Sequence, residues 1–278
     1  MKLSVIVVNY NMCALLKASL SSLTKACKHI DYELIVVDDA STDRSVKMLE
    51  TEFPKAHAIL NEKQLGIAKS RNLGLAKANG QYVLMVNADT ITASNALDGT
   101  LAFMDEHTDA GGVGVRMLNP QGRFLHVSRR GFNKAWENFF KLTGLAKHFV
   151  KSRLYKHENN NWVDEFETAE VDVINGAFML LRRSVLNEVG ELDERLAMFG
   201  HDIDLSYRIR LAGYKNYYYP KTYILNYRKH LGSKFTWSYI RHFYGAMIIF
   251  AAKYMFRMPE IKMPDVQQIF APKYELEK

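Results

Sequence analysis

A chain of 278 residues, 48% hydrophobic and 24% charged, has the composition of an ordinary globular protein long enough to bury a large core. That hydrophobic content excludes disorder, and the absence of a charge-free run of about 18 apolar residues argues against a membrane-spanning helix. The formal net charge of +7 gathers in two stretches, Arg129 to Lys156 and Arg228 to Lys262, where Lys and Arg alternate with aromatics. Such patterning suits an anionic membrane surface or nucleic acid. No nucleic-acid motif accompanies it, so nucleic acid is not expected as a partner.

Taken in chain order, the first elements alternate. Leu3–Val8 is a short β-branched apolar run followed at once by Asn9-Tyr10-Asn11, without a small-residue cleavage site. It reads as a buried strand, not a signal peptide. A helical pattern follows to about Ala26, and holds Cys13 and Cys27 fourteen positions apart. That is about 21 Å at the helical rise, too far for a disulfide, and a reducing compartment is expected. Tyr32–Val37, His57–Leu60 and Tyr82–Val86 read as strands; Asp43–Glu52 and Gly66–Ala78 read as helices. Short connections of this kind predict an α/β fold with a mostly parallel, doubly wound sheet and helices on both faces.

Further along, Gly111–Met117 reads as a strand, Arg123–Val127 as a segment able to pair with a neighbour, and Phe132–Val150 as a basic, aromatic stretch of weak helical pattern. Glu158–Asp164 is loop-like, Val171–Leu181 a strand and Leu205–Leu211 a helix closed by Gly213. Trp237–Phe256 is a helix stopped by Pro259, with Trp237, Ile240, Tyr244, Met247, Ile248 and Ala251 on one stripe. Core packing and an interfacial membrane helix both suit that stripe. The chain divides into a catalytic domain at 1–230 (a nucleotide-binding half at about 1–110, an acceptor half at about 111–230) and a basic aromatic extension at 231–278.

In a doubly wound sheet, ligands bind beyond the carboxyl ends of the strands, which directs attention to Asn9, Asp38, Asp39, Asn87 and Asp89. Asp38-Asp39 ends a strand, and two adjacent acids there repel each other unless a partner is present. Ser41, Thr42 and Asp43 fit helix capping better, with Ser41 or Thr42 as the cap. Asp89, after a buried strand, is either a turn residue or a carboxylate for a hard divalent cation gripping a diphosphate. Gly200-His201-Asp202-Ile203-Asp204 before an amphipathic helix is either a cap or a general base exposed at a helix start.

Each signal is weak singly, but together, in order, they resemble a known family. Val5–Asn11 (VIVVNYN), Val36–Ser45 (VVDDASTDRS), Asn61–Gly74 (NEKQLGIAKSRNLG) and Val86–Thr90 (VNADT) resemble the front half of family 2 glycosyltransferases. Asn175–Arg183 (NGAFMLLRR), Val189–Arg195 (VGELDER), Gly200–Arg208 (GHDIDLSYR) and Ala212–Pro220 (AGYKNYYYP) resemble the back half, nearest to its rhamnosyltransferase-like branch. The resemblance implies a GT-A fold, an inverting mechanism, a dTDP- or UDP-linked sugar donor and Mg²⁺ or Mn²⁺. It implies a glycan or lipid-linked acceptor in bacterial surface polysaccharide synthesis, and a cytoplasmic enzyme peripheral on the inner face of the membrane. By residue, it implies donor binding by Asn9, Asp38, Asp39 and Asn87, metal binding by Asp89, and Asp202 as catalytic base. Asp193 and Glu194 fit a structural role as well as a functional one.

This sequence departs from the family pattern at three places. Asn87 stands where an acid is usual, His201 where a glutamate is usual, and Asn226 where a histidine is usual, with His230 four residues later as a candidate metal ligand. These departures keep open a non-catalytic alternative, a sugar-nucleotide-binding or scaffold subunit of a glycan assembly complex. A nucleotidyltransferase needs a glycine- and basic-rich phosphate loop near the N-terminus, and none is present.

Overall fold

In β1 (Leu3–Asn9) and β2 (Tyr32–Asp38) alternate residues enter two different cores. Val5, Val7 and Val36 point to one face, while Ile6, Ile35 and Val37 point to the other. Burial on both faces is what turns the usual apolar–polar alternation into a continuous apolar run. The computed structural model describes residues 1–130, 134–145, 165–227 and 237–254.

Six further elements complete the front of the chain: α1 (Cys13–Ala26), α2 (Ser45–Glu52), β3 (His57–Leu60), α3 (Ile67–Leu75), β4 (Tyr82–Asn87) and β5 (Thr90–Thr92). Then follow α4 (Ala96–Glu106), β6 (Ala110–Leu118), α5 (Val127–Arg130) and α6 (Lys134–Leu142). The last described elements are β7 (Ala169–Val171), β8 (Phe178–Arg182), α7 (Arg183–Val189), α8 (His201–Leu211), β9 (Lys215–Asn226) and α9 (Trp237–Tyr254).

These strands form one sheet in the order β3-β2-β1-β4-β8-β6-β9-β5, with β7 also paired to β9. From β3 to β4 the pairing is parallel, as short right-handed crossovers require. Beyond β4 it becomes mixed: β8 is antiparallel to β4 and β6, β9 is parallel to β6, and β5 and β7 run antiparallel to β9. One face is covered by α1, α2 and α4 through Leu16, Leu20, Leu23, Met48, Leu97 and Leu101. The other is covered by α3, α7 and α8. The α3 backbone lies so close to β1 that a Cβ at Gly74 would meet Ile6 Cγ2 at 2.6 Å.

A third cluster lies outside α8. Trp136, Phe140, Phe243, Met247 and Phe250 of α6 and α9 pack against Ile203 and Tyr207, while Leu205 and Ile209 of the same helix face the sheet. The α8 helix is therefore enclosed on two sides.

Several expectations need correction. The run Val171–Leu181 is two strands with a turn between them, because the chain breaks at Asn175-Gly176, where Phe178 N–H donates to Asn175 O at 3.2 Å. Arg123–Val127 does pair with a neighbour, as expected, but through a single isolated bridge, Leu118 to Phe124, before the chain turns into α5. The stripe predicted on α9 is rotated: Phe243, Ala246, Met247 and Phe250 are buried, while Trp237 (78% exposed), Tyr244 and Ile248 (68%) face outward. Ring-on-ring packing of Phe250 with Trp136 and Phe140, at centroid distances of 5.8 and 5.5 Å, decides which face goes in. Residues 146–164, which include the polar segment 158–164, lie outside the described residues. Both cysteines are free, as their spacing requires, and no helix among the described residues is long and apolar enough to cross a membrane.

Candidate active site

The ends of β1, β2 and β4 carry the predicted polar residues to one edge of the sheet, since Asn9 is in register with Asp38 and Val8 with Asn87. Asn9 and Asp38 are both buried and face each other, with Asn9 Nδ2 donating to Asp38 Oδ2 at 2.9 Å. Asp38 Oδ1 accepts from Ser41 N–H at 2.8 Å, which closes the turn in which Ala40 takes a positive φ of 66°. The side-chain oxygen of Asn9 has no donor among the described residues.

Asp39 holds a longer loop. Its Oδ1 accepts from Leu65 N–H (2.8 Å), Asn61 Nδ2 (2.9 Å) and the Ser70 hydroxyl (3.0 Å), and its Oδ2 from Gly66 N–H (3.0 Å). Each acid of the pair thus has protein donors, and the repulsion argument does not by itself call for a ligand. Asp39 Oδ2, with one donor, retains acceptor capacity. Capping also falls to a different residue than expected. Asp43, not Ser41 or Thr42, accepts from Ser45 N–H at the start of α2 and from Cys13 N–H at the start of α1. Burial pulls the Asp43 carboxyl up, but these bonds to two helix N-termini outweigh it and hold it below the usual range.

Arg71 was not singled out in the sequence, yet it organises the centre. It sits on the buried stripe of α3 with Ala68 and Leu75, at spacing i, i+3, i+7, and a cation at a core position is the signal that marks it. Its NH2 group donates to Asn87 Oδ1 at 2.9 Å and to Gly176 O at 2.6 Å, and its NH1 to His201 Nε2 at 3.2 Å. A guanidinium has no acceptor, so His201 Nε2 must carry the lone pair and the ring is neutral. Burial pushes His201 down to about 4 against the pull of Asp202, with Arg71 adding to the downward shift. Burial likewise lowers Arg71 to about 10, opposed by the Asp202 carboxylate. Its Nε is buried with no acceptor among the described residues.

Asp202 stands in the first turn of α8, where the helix dipole favours a carboxylate. Its Oδ2 accepts from Gly176 N–H at 3.0 Å and its Oδ1 from Ile203 N–H at 3.0 Å. Gly176 is wedged between the two stations: a Cβ there would meet Asp202 Oδ2 at 3.2 Å and Arg71 NH1 at 3.5 Å. The strand end at Asn87 and the start of α8 at His201 and Asp202 are thereby linked through one arginine.

Asp89 lies in the turn between β4 and β5, nearly buried, and its backbone carbonyl accepts from Tyr227 N–H at 2.8 Å. Asn226 pairs with Thr90, directly beside Asp89. His230 lies outside the described residues. Among the described residues no cluster of three His, Cys, Asp or Glu side chains is spaced to hold a metal. Asn87 Oδ1 is already engaged by Arg71, so the carboxylate of Asp89 is the group that fits a hard cation, which commonly takes one or two carboxylates plus phosphate oxygens and water. Asp193 is bound by Arg195 through Nε (2.9 Å) and NH2 (2.7 Å), a structural clasp, and Glu194 meets Lys69 at 3.5 Å.

The family model for glycosyl transferase family 2 matches residues 4–190. The chain belongs to glycosyltransferase family 2. This glycosyltransferase is 22% identical over 268 residues to the N-acetylglucosaminyl-diphospho-decaprenol L-rhamnosyltransferase of Mycobacterium tuberculosis, covering 90% of this chain and 84% of that one. Among solved structures it resembles S. aureus TarS with a TM-score of 0.62 at 22% identity, covering 91% of this chain but 39% of TarS. It also resembles the mannosyltransferase PcManGT of Pyrobaculum calidifontis, solved with GDP-Man and Mn²⁺, with a TM-score of 0.58 at 20% identity, covering 83% and 58% of the two chains. The glycosyltransferase therefore has the GT-A architecture, a mixed α/β sheet with helices on both sides.

Proposed function

We propose that this glycosyltransferase moves a sugar, with inversion, from a dTDP- or UDP-linked donor to a hydroxyl of a glycan or lipid-linked acceptor in bacterial surface polysaccharide synthesis. The observation that carries the reading is the bridge from Asn87 through Arg71 to His201 and Asp202. It sets a carboxylate beside the strand ends where a nucleotide diphosphate binds in this architecture. TarS has been solved with UDP-GlcNAc, and the rhamnosyltransferase and an E. coli relative, WfgD, are named for diphospho-polyprenol-linked acceptors.

In this reading Asn9 Oδ1 and Asp39 Oδ2 accept from the nucleoside, while Asp38 holds the turn between them. Arg71, a buried cation with an unused donor, faces the diphosphate from the side of Asn87. Asp89 would hold Mg²⁺ or Mn²⁺, which supplies charge neutralisation for a departing diphosphate. Asp202 takes the proton of the acceptor hydroxyl as that oxygen bonds to the anomeric carbon, and the bond from that carbon to the diphosphate oxygen breaks with its electron pair leaving on the diphosphate. A neutral His201 neither repels nor competes for that proton. At the cytoplasmic face of the membrane, the outward Trp237, Tyr244 and Ile248 of α9, a helix free of acidic residues, suit an anionic surface.

The test is transfer by Asp202→Asn against wild type, with donors screened by mass spectrometry. Loss of about 10²–10⁴-fold in rate with nucleotide affinity kept is the expected result; full transfer by the variant removes Asp202 from the role. Neutral residues at 87 and 201 favour one second reading, a sugar-nucleotide-binding subunit without catalysis. Thermal-shift titration with UDP, dTDP and Mn²⁺ that gives binding, with no turnover across a broad donor and acceptor panel, would select it.

A further inference from the structure

The end of α9 reaches two buried carboxylates, Asp204 and Asp193. Lys253 Nζ donates to Asp204 Oδ1 at 2.6 Å and to Asp193 Oδ2 at 3.3 Å, and the Tyr254 hydroxyl donates to Asp204 Oδ1 at 2.7 Å. Asp204 is fully buried on α8, two residues after Asp202, and its N–H makes the first bond of that helix, to Gly200 O at 2.8 Å. Gly200 itself is pinned from outside: a Cβ there would meet Trp136 Cζ2 at 3.0 Å and Ala246 Cβ at 3.6 Å. The turn that presents His201 and Asp202 is thus gripped by α6 and α9 at its first residue and at Asp204.

The second carboxylate leads to the donor side. Asp193 lies in the loop whose Ala197 O accepts from Ile67 N–H (3.0 Å) and whose Leu192 exchanges two hydrogen bonds with Asn72, both on α3 beside Arg71. Lys253 therefore touches both routes into the site, one through α8 to Asp202 and one through the loop and α3 to Arg71.

We propose that Lys253 and Tyr254 are positioning residues for the transfer reaction, fixing the first turn of α8, and with it Asp202, through Asp204. The proposal rests on Asp202 being the base. Its physical content is that a misplacement of about 1 Å at a reacting group costs on the order of 10²-fold in rate, whereas the fold has other support. Without the ammonium, Asp204 keeps Arg208 (2.9 Å) and Asp193 keeps Arg195 (2.7 Å).

The experiment compares full-length wild type, Lys253→Met, Lys253→Arg, Tyr254→Phe, Asp202→Asn and Lys253→Met/Asp202→Asn. Hydrogen exchange of peptides spanning 197–206 is read by mass spectrometry, UDP affinity by calorimetry, and kcat and KM with the fastest of UDP-glucose, UDP-N-acetylglucosamine and dTDP-rhamnose. Expected are faster exchange greatest at 197–206 in Lys253→Met, UDP affinity within about two-fold, kcat down about 10–100-fold with KM little changed, and substantial rescue by Lys253→Arg. In the double variant the loss should not exceed that of Asp202→Asn alone, because both changes act on one group. Unchanged exchange and kcat in folded Lys253→Met, or losses that multiply in the double variant, overturn the proposal. Tyr254→Phe, which removes one oxygen, decides it if Lys253→Met does not fold: unchanged exchange at 197–206 then overturns it. Normal transfer by Asp202→Asn overturns the base assignment instead, a result distinguishable from either.

Discussion

In the half built on β1, β2 and β4, the acids are held mainly by backbone amides: Asp38 by Ser41, Asp39 by Leu65 and Gly66, Asp43 by Cys13 and Ser45. In the half built on α8, buried carboxylates are held by side-chain cations, some local and some distant: Asp204 by Arg208 four residues on and by Lys253, Asp193 by Arg195 two residues on and by Lys253, Asp172 by Arg210. An amide cannot be removed by substitution, and its loop can relax around an asparagine. A buried cation left alone has no such remedy. The first half is tolerant of lost charge and the second is not.

The largest expected effect tests that difference directly. Asp204→Ala leaves Lys253, Arg208 and the Tyr254 hydroxyl without their shared acceptor, and should cost about 3–5 kcal/mol in urea unfolding. Asp39→Asn, with four donors to re-satisfy, should cost only about 1–3 kcal/mol while weakening UDP binding measured by calorimetry. A cost for Asp39→Asn equal to that of Asp204→Ala would erase the contrast.

Next comes pH. His201 titrates near 4 in the folded protein and near 6.5 when exposed, so between those values the unfolded chain binds more protons and stability rises with pH. The urea midpoint should therefore fall as pH drops from about 6.5 towards 4, and His201→Gln should flatten that slope. An unaltered slope in the variant would mean that other groups set it. Asp193 acts only at lower pH: burial raises its carboxyl, but Arg195 and Lys253 outweigh that and hold it below its ordinary 3.8, so the stability it adds is lost only as pH falls below that value. The smallest effect concerns thiols: Cys27, driven up to about 12 by burial and then by Asp98, should resist alkylation in the native state while half-buried Cys13 reacts.

The parallel half was legible because its strands are buried on both faces and its turns carry Asp, Ser and Gly. Much of the other half was not. β9 has clear alternation, but Pro220 inside it argues against a strand. The structure accommodates the proline with a bulge, since Val115 pairs with Tyr219 and the next residue, Arg116, with Tyr223. Apolar continuity from Val171 to Leu181 concealed the turn at Gly176, whose position is set by Asp202 and Arg71, both remote in sequence. Asp202 was visible as a helix-start acid, but the neutrality of His201 comes from its burial and is reinforced by Arg71, 130 positions away. Side-chain networks that join distant positions leave no local periodicity to read.

That bulge also determines how this enzyme can be taken apart. By displacing three residues, β9 serves two partners on one side of its length, β7 at Asn216–Tyr218 and β5 at Ile224–Asn226, so a single ribbon splints α8 to the turn that holds Asp89. A chimera that exchanges acceptor halves between relatives should therefore carry this ribbon across intact, with its crossover placed upstream of residue 169.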